Sequence, residues 1–249
     1  MLKVHVPLAC PPWTGVGKKL ESLCRKALYE FGLIEGVDHI AVALSGGKDS
    51  LTLLYLLKAL SGRGFPPFKI TAIHVEGAFS CGPSIGENFL KGICEKLQVD
   101  YVVCSAELNR ENLECYSCSR TRRSLLFQAA KERGIQTIAF GHHRDDSIQT
   151  LLMNLLHKAE FAALLPKVPM LDYGITIIRP LIFAEEQDII SFAQMYGFSR
   201  ISCQCPVGAV SLRQKTKQLI SQIEALYPNA RQNLSQASFQ YGSQKALNK

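Results

Sequence analysis

"HIAVALSGGKDSLTLLYLLKAL", residues 39 to 60, decides the fold. Its opening six residues are an apolar run with β-branched members, and Ser45, Gly46 and Gly47 close it. Such a run reads as a buried parallel strand. A helix follows, with Asp49 at its start, where a carboxylate oxygen can cap free amides. The turn between them suits a phosphate. Two glycines let the backbone approach without Cβ obstruction. Ser45 and Ser50 offer hydroxyls, the helix N-terminus offers amides and a positive dipole end, and Lys48 adds a charge. It is not the GxxxxGK[ST] loop, because the glycines are adjacent and an aspartate follows the lysine.

Working outward, the alternation repeats. "FKITAIHVEG", "DYVVCSA", "TIAFGHH" and "ITIIRPL" read as further strands. "IGENFLKGICEKLQ", "RRSLLFQAAKERG", "DDSIQTLLMNLLHK" and "AEEQDIISFAQMYG" read as the helices between and after them. Five strand–helix units need crossover connections, so the fold class is α/β with a doubly wound parallel sheet. "KKLESLCRKALYEFGLI" precedes it as an amphipathic helix, with Leu20, Leu23, Cys24, Ala27 and Leu28 on one stripe. "EFAALLPKVPMLDYG" carries two prolines and reads as an exposed loop. "SLRQKTKQLISQIEALYP" reads as a terminal amphipathic helix, with Arg213, Lys215 and Lys217 near its start, and the polar stretch after it is expected to fray. The expected organisation is an N-terminal extension and helix over 1–35, a nucleotide-binding α/β domain over 36–182, and a C-terminal helical segment over 183–249.

Composition narrows the partners. The 249 residues carry 28 Lys and Arg against 21 Asp and Glu, and the resulting net charge of +7 suits an RNA or nucleotide. No apolar run approaches the ~20 residues of a membrane span. The N-terminal stretch lacks the basic, apolar and small order of a signal peptide. A cytoplasmic protein without membrane partners is expected. In a reducing compartment the nine cysteines point to metal or redox chemistry before disulfides.

"AFGHHRDDSIQT", residues 139 to 150, lies at another strand–helix junction. Its two histidines and two aspartates could bind Mg²⁺ or organise ATP, since acidic oxygens suit a hard cation, and N-capping by Asp145 or Asp146 with surface histidines is the plainer alternative. "CYSCSRTRR" places Cys115 and Cys118 three apart in a loop entering a helix, beside Arg120, Arg122 and Arg123. "SCQCPVG" holds Cys203 and Cys205. These thiols could form a redox pair, a zinc site or an iron–sulfur site. The single residue between Cys203 and Cys205 makes zinc chelation tight. His74 and Glu76 end the second strand, where adenosine could lie, though a structural histidine fits equally. Arg179 before Pro180 reads as a phosphate contact or a salt-bridged strand end.

"SGGKDS" resembles the PP-loop of the ATP pyrophosphatases. "CYSCSRTRRSLLFQAA", "AFGHHRDD", "IIRPL" and the late cysteine loop, spanning about residues 20 to 230, are similar to the tRNA 2-thiocytidine synthetase family. The resemblance implies the adenine nucleotide alpha hydrolase-like fold and an ATP-dependent tRNA sulfurtransferase. Such an enzyme adenylylates the C2 oxygen of an anticodon-loop cytidine and releases pyrophosphate. Sulfur then replaces that oxygen as AMP leaves. Ser45, Gly46, Gly47 and Ser50 would hold pyrophosphate with Lys48 as countercharge. Asp49 and Asp145 would hold Mg²⁺, and His74, Gly141 and Asp146 would complete the ATP site. Cys115, Cys118 and Cys205 would bind a [4Fe-4S] cluster and, with Asp49, make up the catalytic set. Arg120, Arg122 and Arg123 would face tRNA phosphates or the cluster's sulfide charge. A cysteine desulfurase system would donate sulfur, and a homodimer is compatible.

The late motif departs from the family's CxxC, being CxC. Cys205 keeps the second place before "PVG" and is chosen over the shifted Cys203. The chain has no extra CxxC pairs of the zinc-ribbon 2-thiouridine relatives, which favours the thiocytidine branch. The alternatives are a 2-thiouridine synthetase, a tRNA lysidine ligase, or a zinc-stabilised RNA-binding protein without catalysis. The intact "SGGKDS" counts against the last.

Overall fold

A computed structural model describes residues 6–76, 83–105, 115–198 and 212–242 of the chain. After helix α1 (Val16–Glu30) the chain runs β1 (His39–Ala43), α2 (Lys48–Leu60), β2 (Lys69–Glu76), α3 (Pro83–Leu97) and β3 (Asp100–Ser105). It continues through α4 (Cys115–Lys131), β4 (Thr137–Ala139), α5 (Arg144–Lys158), β5 (Lys167–Met170) and β6 (Ile175–Ile178). Helices α6 (Glu186–Met195), α7 (Leu212–Leu226) and α8 (Ala230–Gln240) follow.

The strands form one sheet in the order β3-β2-β1-β4-β6-β5. From β1 the chain winds outward through β2 to β3, then crosses back to place β4 on the other side of β1. The winding reverses between β1 and β4. A crevice opens there beyond the carboxyl ends of the strands, where open α/β sheets bind ligands. Both glycine-bearing motifs begin there: "SGGKDS" follows β1 and "GHHRDD" follows β4.

Alternation along β1 builds the two faces. Ile40 and Val42 point to one core, shared with Leu20 and Leu28 of α1, Leu51 and Leu54 of α2, Ile93 of α3 and Phe192 of α6. Ala41 points to the other, with Ile73, Val75, Ile138 and the α4 residues Leu126, Phe127 and Ala130. That is the period-two pattern of a strand buried on both sides.

Four expectations change. Residues 167–170 form a strand, not a loop. β5 runs antiparallel to β6 at the sheet edge, with Pro169 opposite Thr176. An edge tolerates proline because one side of the strand needs no N–H donor. Helix α4 starts at Cys115, seven residues before the expected start at Arg122. "CYSCSRTRR" contains no Gly or Pro to stop it. Helix α2 is capped by the Gly47 backbone with no side-chain cap bond, so Asp49 sits in the first turn rather than at the cap. Finally, Ala230–Gln240 does not fray. Its Phe239 ring lies 5.3 Å from Phe183 and 5.7 Å from Phe31, which pins α8 across the chain. Ile220 of α7 packs with Ile148 and Leu152 of α5, flanked by Leu234 of α8. Among the described residues no helix is long and apolar enough to cross a membrane.

Candidate active site at the sheet crevice

The loop after β1 is a small cradle. Ser45 Oγ lies 3.1 Å from Ser50 Oγ and accepts the Gly47 N–H at 3.3 Å. Ser50 Oγ donates to the Gly47 carbonyl at 3.0 Å. Gly46 has φ of 85°, a left-handed conformation that glycine takes without a Cβ penalty. A Cβ on Gly47 would meet only Ser45 Oγ, at 3.5 Å, so the protein itself leaves that approach open. The free amides of α2 face the same space.

Lys48 Nζ donates to Asp49 Oδ2 at 3.2 Å and lies 3.4 Å from Glu186 Oε1. Burial pushes its pKa down, but Asp49 and Glu186 more than offset this, and the net shift is upward. Lys48 therefore keeps its charge at neutral pH. Asp49 Oδ1 is 3.0 Å from the same ammonium, yet at an angle that makes no hydrogen bond. It is a buried carboxylate oxygen beside the Lys48 ammonium, with His143 Nε2 at 3.8 Å.

Gly141 joins the second motif to this loop. A Cβ there would stand 2.9 Å from Asp49 C, Asp49 O and Ser50 N. Only glycine lets the β4 end lie against the start of α2. His143, 3% exposed, is the N-cap of α5. Its Nε2 lies 3.4 Å from Asp146 Oδ2 and 3.8 Å from Asp49 Oδ1, which bridges the two motifs. Asp146 Oδ2 accepts the His143 N–H at 3.2 Å, so the plainer capping role is present as well. Burial pushes the Asp146 pKa up, but His143, His142 and Arg213 together hold it below the ordinary carboxylate value.

Asp145 is occupied. Its Oδ2 accepts the Glu186 N–H at 2.8 Å and its Oδ1 pairs with Arg231 Nη1 at 2.5 Å. Of the expected pair of magnesium ligands, Asp145 is tied to a backbone amide and an arginine, and Asp49 to Lys48. His74 is buried, with Nδ1 2.8 Å from the Leu44 carbonyl. A carbonyl only accepts, so the proton is on Nδ1 and the ring supports the strand end beneath the loop. Arg122 donates to the Val75 carbonyl at 2.6 Å, whereas Arg120 and Arg123 are exposed.

Cys115 and Cys118 lie in the first turn of α4, three residues apart. Cys203, Cys205 and Cys81 lie outside the described residues. Cys24 and Cys94 are core residues whose thiols burial pushes up to about 12, which removes them from thiolate chemistry.

The PP-loop domain family matches residues 16–201. Over 225 residues the chain is 36% identical to tRNA-cytidine(32) 2-sulfurtransferase of Syntrophotalea carbinolica, covering 87% of this chain and 86% of that protein. The protein of the same name from Geobacter sulfurreducens is 33% identical over 227 residues, 88% of each. This chain belongs to the tRNA-cytidine(32) 2-sulfurtransferase family of PP-loop proteins. As a family member it is an enzyme, an ATP-dependent transferase. Its fold is also that of the U34-tRNA thiolase NcsA from Methanococcus maripaludis, solved with its [4Fe-4S] cluster. The TM-score is 0.75 at 22% identity, over 91% of this chain and 79% of that one.

Within this family framework, Glu186 and Arg231 have no motif to announce them, while His142 lies inside one. Glu186 joins Lys48 at 3.4 Å to Lys217 at 2.6 Å. Arg231 reaches Asp145 from α8, and His142 stacks on Phe140 with ring centroids 5.6 Å apart. An acid at the start of α6 and a basic residue on a terminal helix look like ordinary surface charge until the helices are docked. The one available signal was the doubled histidine, of which His143 faces inward to the aspartates and His142 toward Arg179.

Proposed function

We propose that this protein converts a cytidine in the anticodon loop of tRNA to 2-thiocytidine, at position 32 as in the relatives' name. The observation that carries this reading is the contact of Gly141 with Asp49 and Ser50, which merges an ATP-type loop and an acidic helix start into one crevice. ATP would set its terminal phosphates against the amides of Gly46 to Ser50, with Lys48 neutralising the departing pyrophosphate. Mg²⁺ keeps waters and takes one or two carboxylates plus phosphate oxygens, and here Asp49 would supply the carboxylate. His143 would hold Asp49 and Asp146 in place.

Cys115, Cys118 and Cys205 would hold the [4Fe-4S] cluster. The spacing of the first two at a helix start suits adjacent soft ligands. When bound, the cluster supplies sulfur for exchange at C2. The C2 oxygen, once adenylylated, departs with AMP as the carbon–sulfur bond forms. Arg120 and Arg123 would meet tRNA phosphates, while Arg122 holds β2 to α4. A cysteine desulfurase would supply sulfur in the cytoplasm, and the enzyme would act as a homodimer.

The test combines anaerobically purified protein, ATP, sulfide and an unmodified tRNA transcript, with nucleosides read by mass spectrometry. The expected result is 2-thiocytidine with equimolar AMP and pyrophosphate, and about four irons per chain. Cys115→Ala, Cys118→Ala and Cys205→Ala would lose iron and product, whereas Cys203→Ala would keep both. Zinc without iron and no new nucleoside would overturn the reading. Lysidine or 2-thiouridine as product would move the protein to another PP-loop branch.

A further inference from the structure

Arg179 follows β6 at its carboxyl end and is 7% exposed. Its Nη1 donates to the Leu165 carbonyl at 2.5 Å and its Nε points to His142 Nδ1 at 3.4 Å. Neither partner is charged. An arginine donates only, so His142 Nδ1 is the acceptor, and the ring is neutral with its proton on Nε2. Its stacking on Phe140, 11° from parallel, fixes where that second donor points. Among the described residues no carboxylate lies within 4.0 Å of Arg179. Arg123 is near enough to oppose its charge, Asp146 favours it less strongly from beyond 4.0 Å, and Arg213 sits 3.8 Å from Asp146 Oδ1 at the same end of the sheet. A buried guanidinium with no carboxylate in contact is costly, and a like charge beside it raises the cost. An anion entering this spot relieves both, and a guanidinium grips a phosphate by its planar fork.

We propose that Arg179, His142, Arg123 and Arg213 form a phosphate-binding site beyond β4 and β6, separate from the pyrophosphate cradle after β1. It rests on the tRNA-thiolation reading. The phosphate belongs either to the backbone of the tRNA loop or to the nucleotide's α-position. In both cases it fixes the reacting cytidine relative to Asp49.

The experiment measures binding to the full-length protein of two probes, an unmodified tRNA transcript across a salt series and ATP by calorimetry. The variants are Arg179→Lys, Arg123→Ala and Arg213→Ala, the last two exposed and expected to fold. For a backbone phosphate, each variant weakens tRNA binding about tenfold; Arg123→Ala and Arg213→Ala, which remove a charge, also lower the slope of log K against log salt by about 0.7, while Arg179→Lys, which keeps it, leaves the slope unchanged. ATP binding is then unchanged. For a nucleotide phosphate, ATP affinity falls about tenfold and the tRNA slope holds. If neither probe responds in any folded variant, the site does not exist. Both measurements are independent of turnover and of iron content, so a failure of thiolation leaves them readable.

Discussion

Replacing Gly141 by alanine tests the joint on which the crevice is built. The new methyl would stand 2.9 Å from three backbone atoms of Asp49 and Ser50. Relaxing that to an ordinary carbon contact near 3.4–3.5 Å needs about 0.5 Å of movement. The atoms met are backbone, so no rotamer change relieves the clash and the β4 end must separate from α2. Overpacking of this kind costs about 1–3 kcal/mol. For a chain of this size that lowers Tm by roughly 2–12 °C. The same half-ångström displaces the cradle from the acidic motif. Given about 10²-fold per ångström of misplacement, kcat/KM for ATP should fall roughly tenfold. Gly47→Ala is the contrast. Its methyl meets only Ser45 Oγ at 3.5 Å, so stability should hold while phosphate binding suffers. The assays are a thermal melt and pyrophosphate release against ATP concentration. A Gly141→Ala protein with unchanged Tm and unchanged kcat/KM would refute the reasoning.

Three further expectations follow from the same geometry. Arg231→Ala strips the cation from buried Asp145 and should destabilise by about 3 kcal/mol in a urea melt, with Arg231→Lys recovering part of it. Burial raises the Glu186 pKa, but Lys217 and Lys48 outweigh it and hold it below its usual 4.5. The stability it contributes is complete above that value and is lost as pH falls through the lower folded value. In melts between pH 3 and 7, Glu186→Gln should therefore flatten the acid limb below pH 4.5. His142 moves the other way. Burial and then Arg179 push its pKa down to about 3, so the unfolded chain takes up a proton that the folded one refuses. Stability should fall as pH drops from 6.5 towards 3, and His142→Gln should remove that slope. A His142 ring signal that titrates between pH 5 and 8 would contradict it.

The sheet was legible because its strands are apolar runs punctuated by glycine, and because crossover rules leave few ways to join them. "SGGKDS" and "AFGHHRDD" announced their places at strand ends for the same reason. What stayed hidden depends on docking. Pro169 argued for a loop, since a sequence does not say which strand becomes an edge. Gln232 to Gln240 read as polar, yet Phe239 in that stretch packs against Phe31, near the other end of the chain, and against Phe183. Asp145 and Asp146 are neighbours of one residue type. Only the arrival of Arg231 and the Glu186 amide makes one a framework residue and leaves the other at the crevice.

The ties from α7 and α8 back to the crevice also set an order of events during synthesis. The sheet and both glycine turns are complete once β6 has left the ribosome. Asp145 still lacks its arginine then, and Glu186 lacks Lys217, until residues 217 and 231 emerge. A nascent chain can thus form a nucleotide-shaped cradle before its acidic motif is set. A chain ending short of Arg231 would keep the Glu186 amide on Asp145 but leave that buried carboxylate without its arginine.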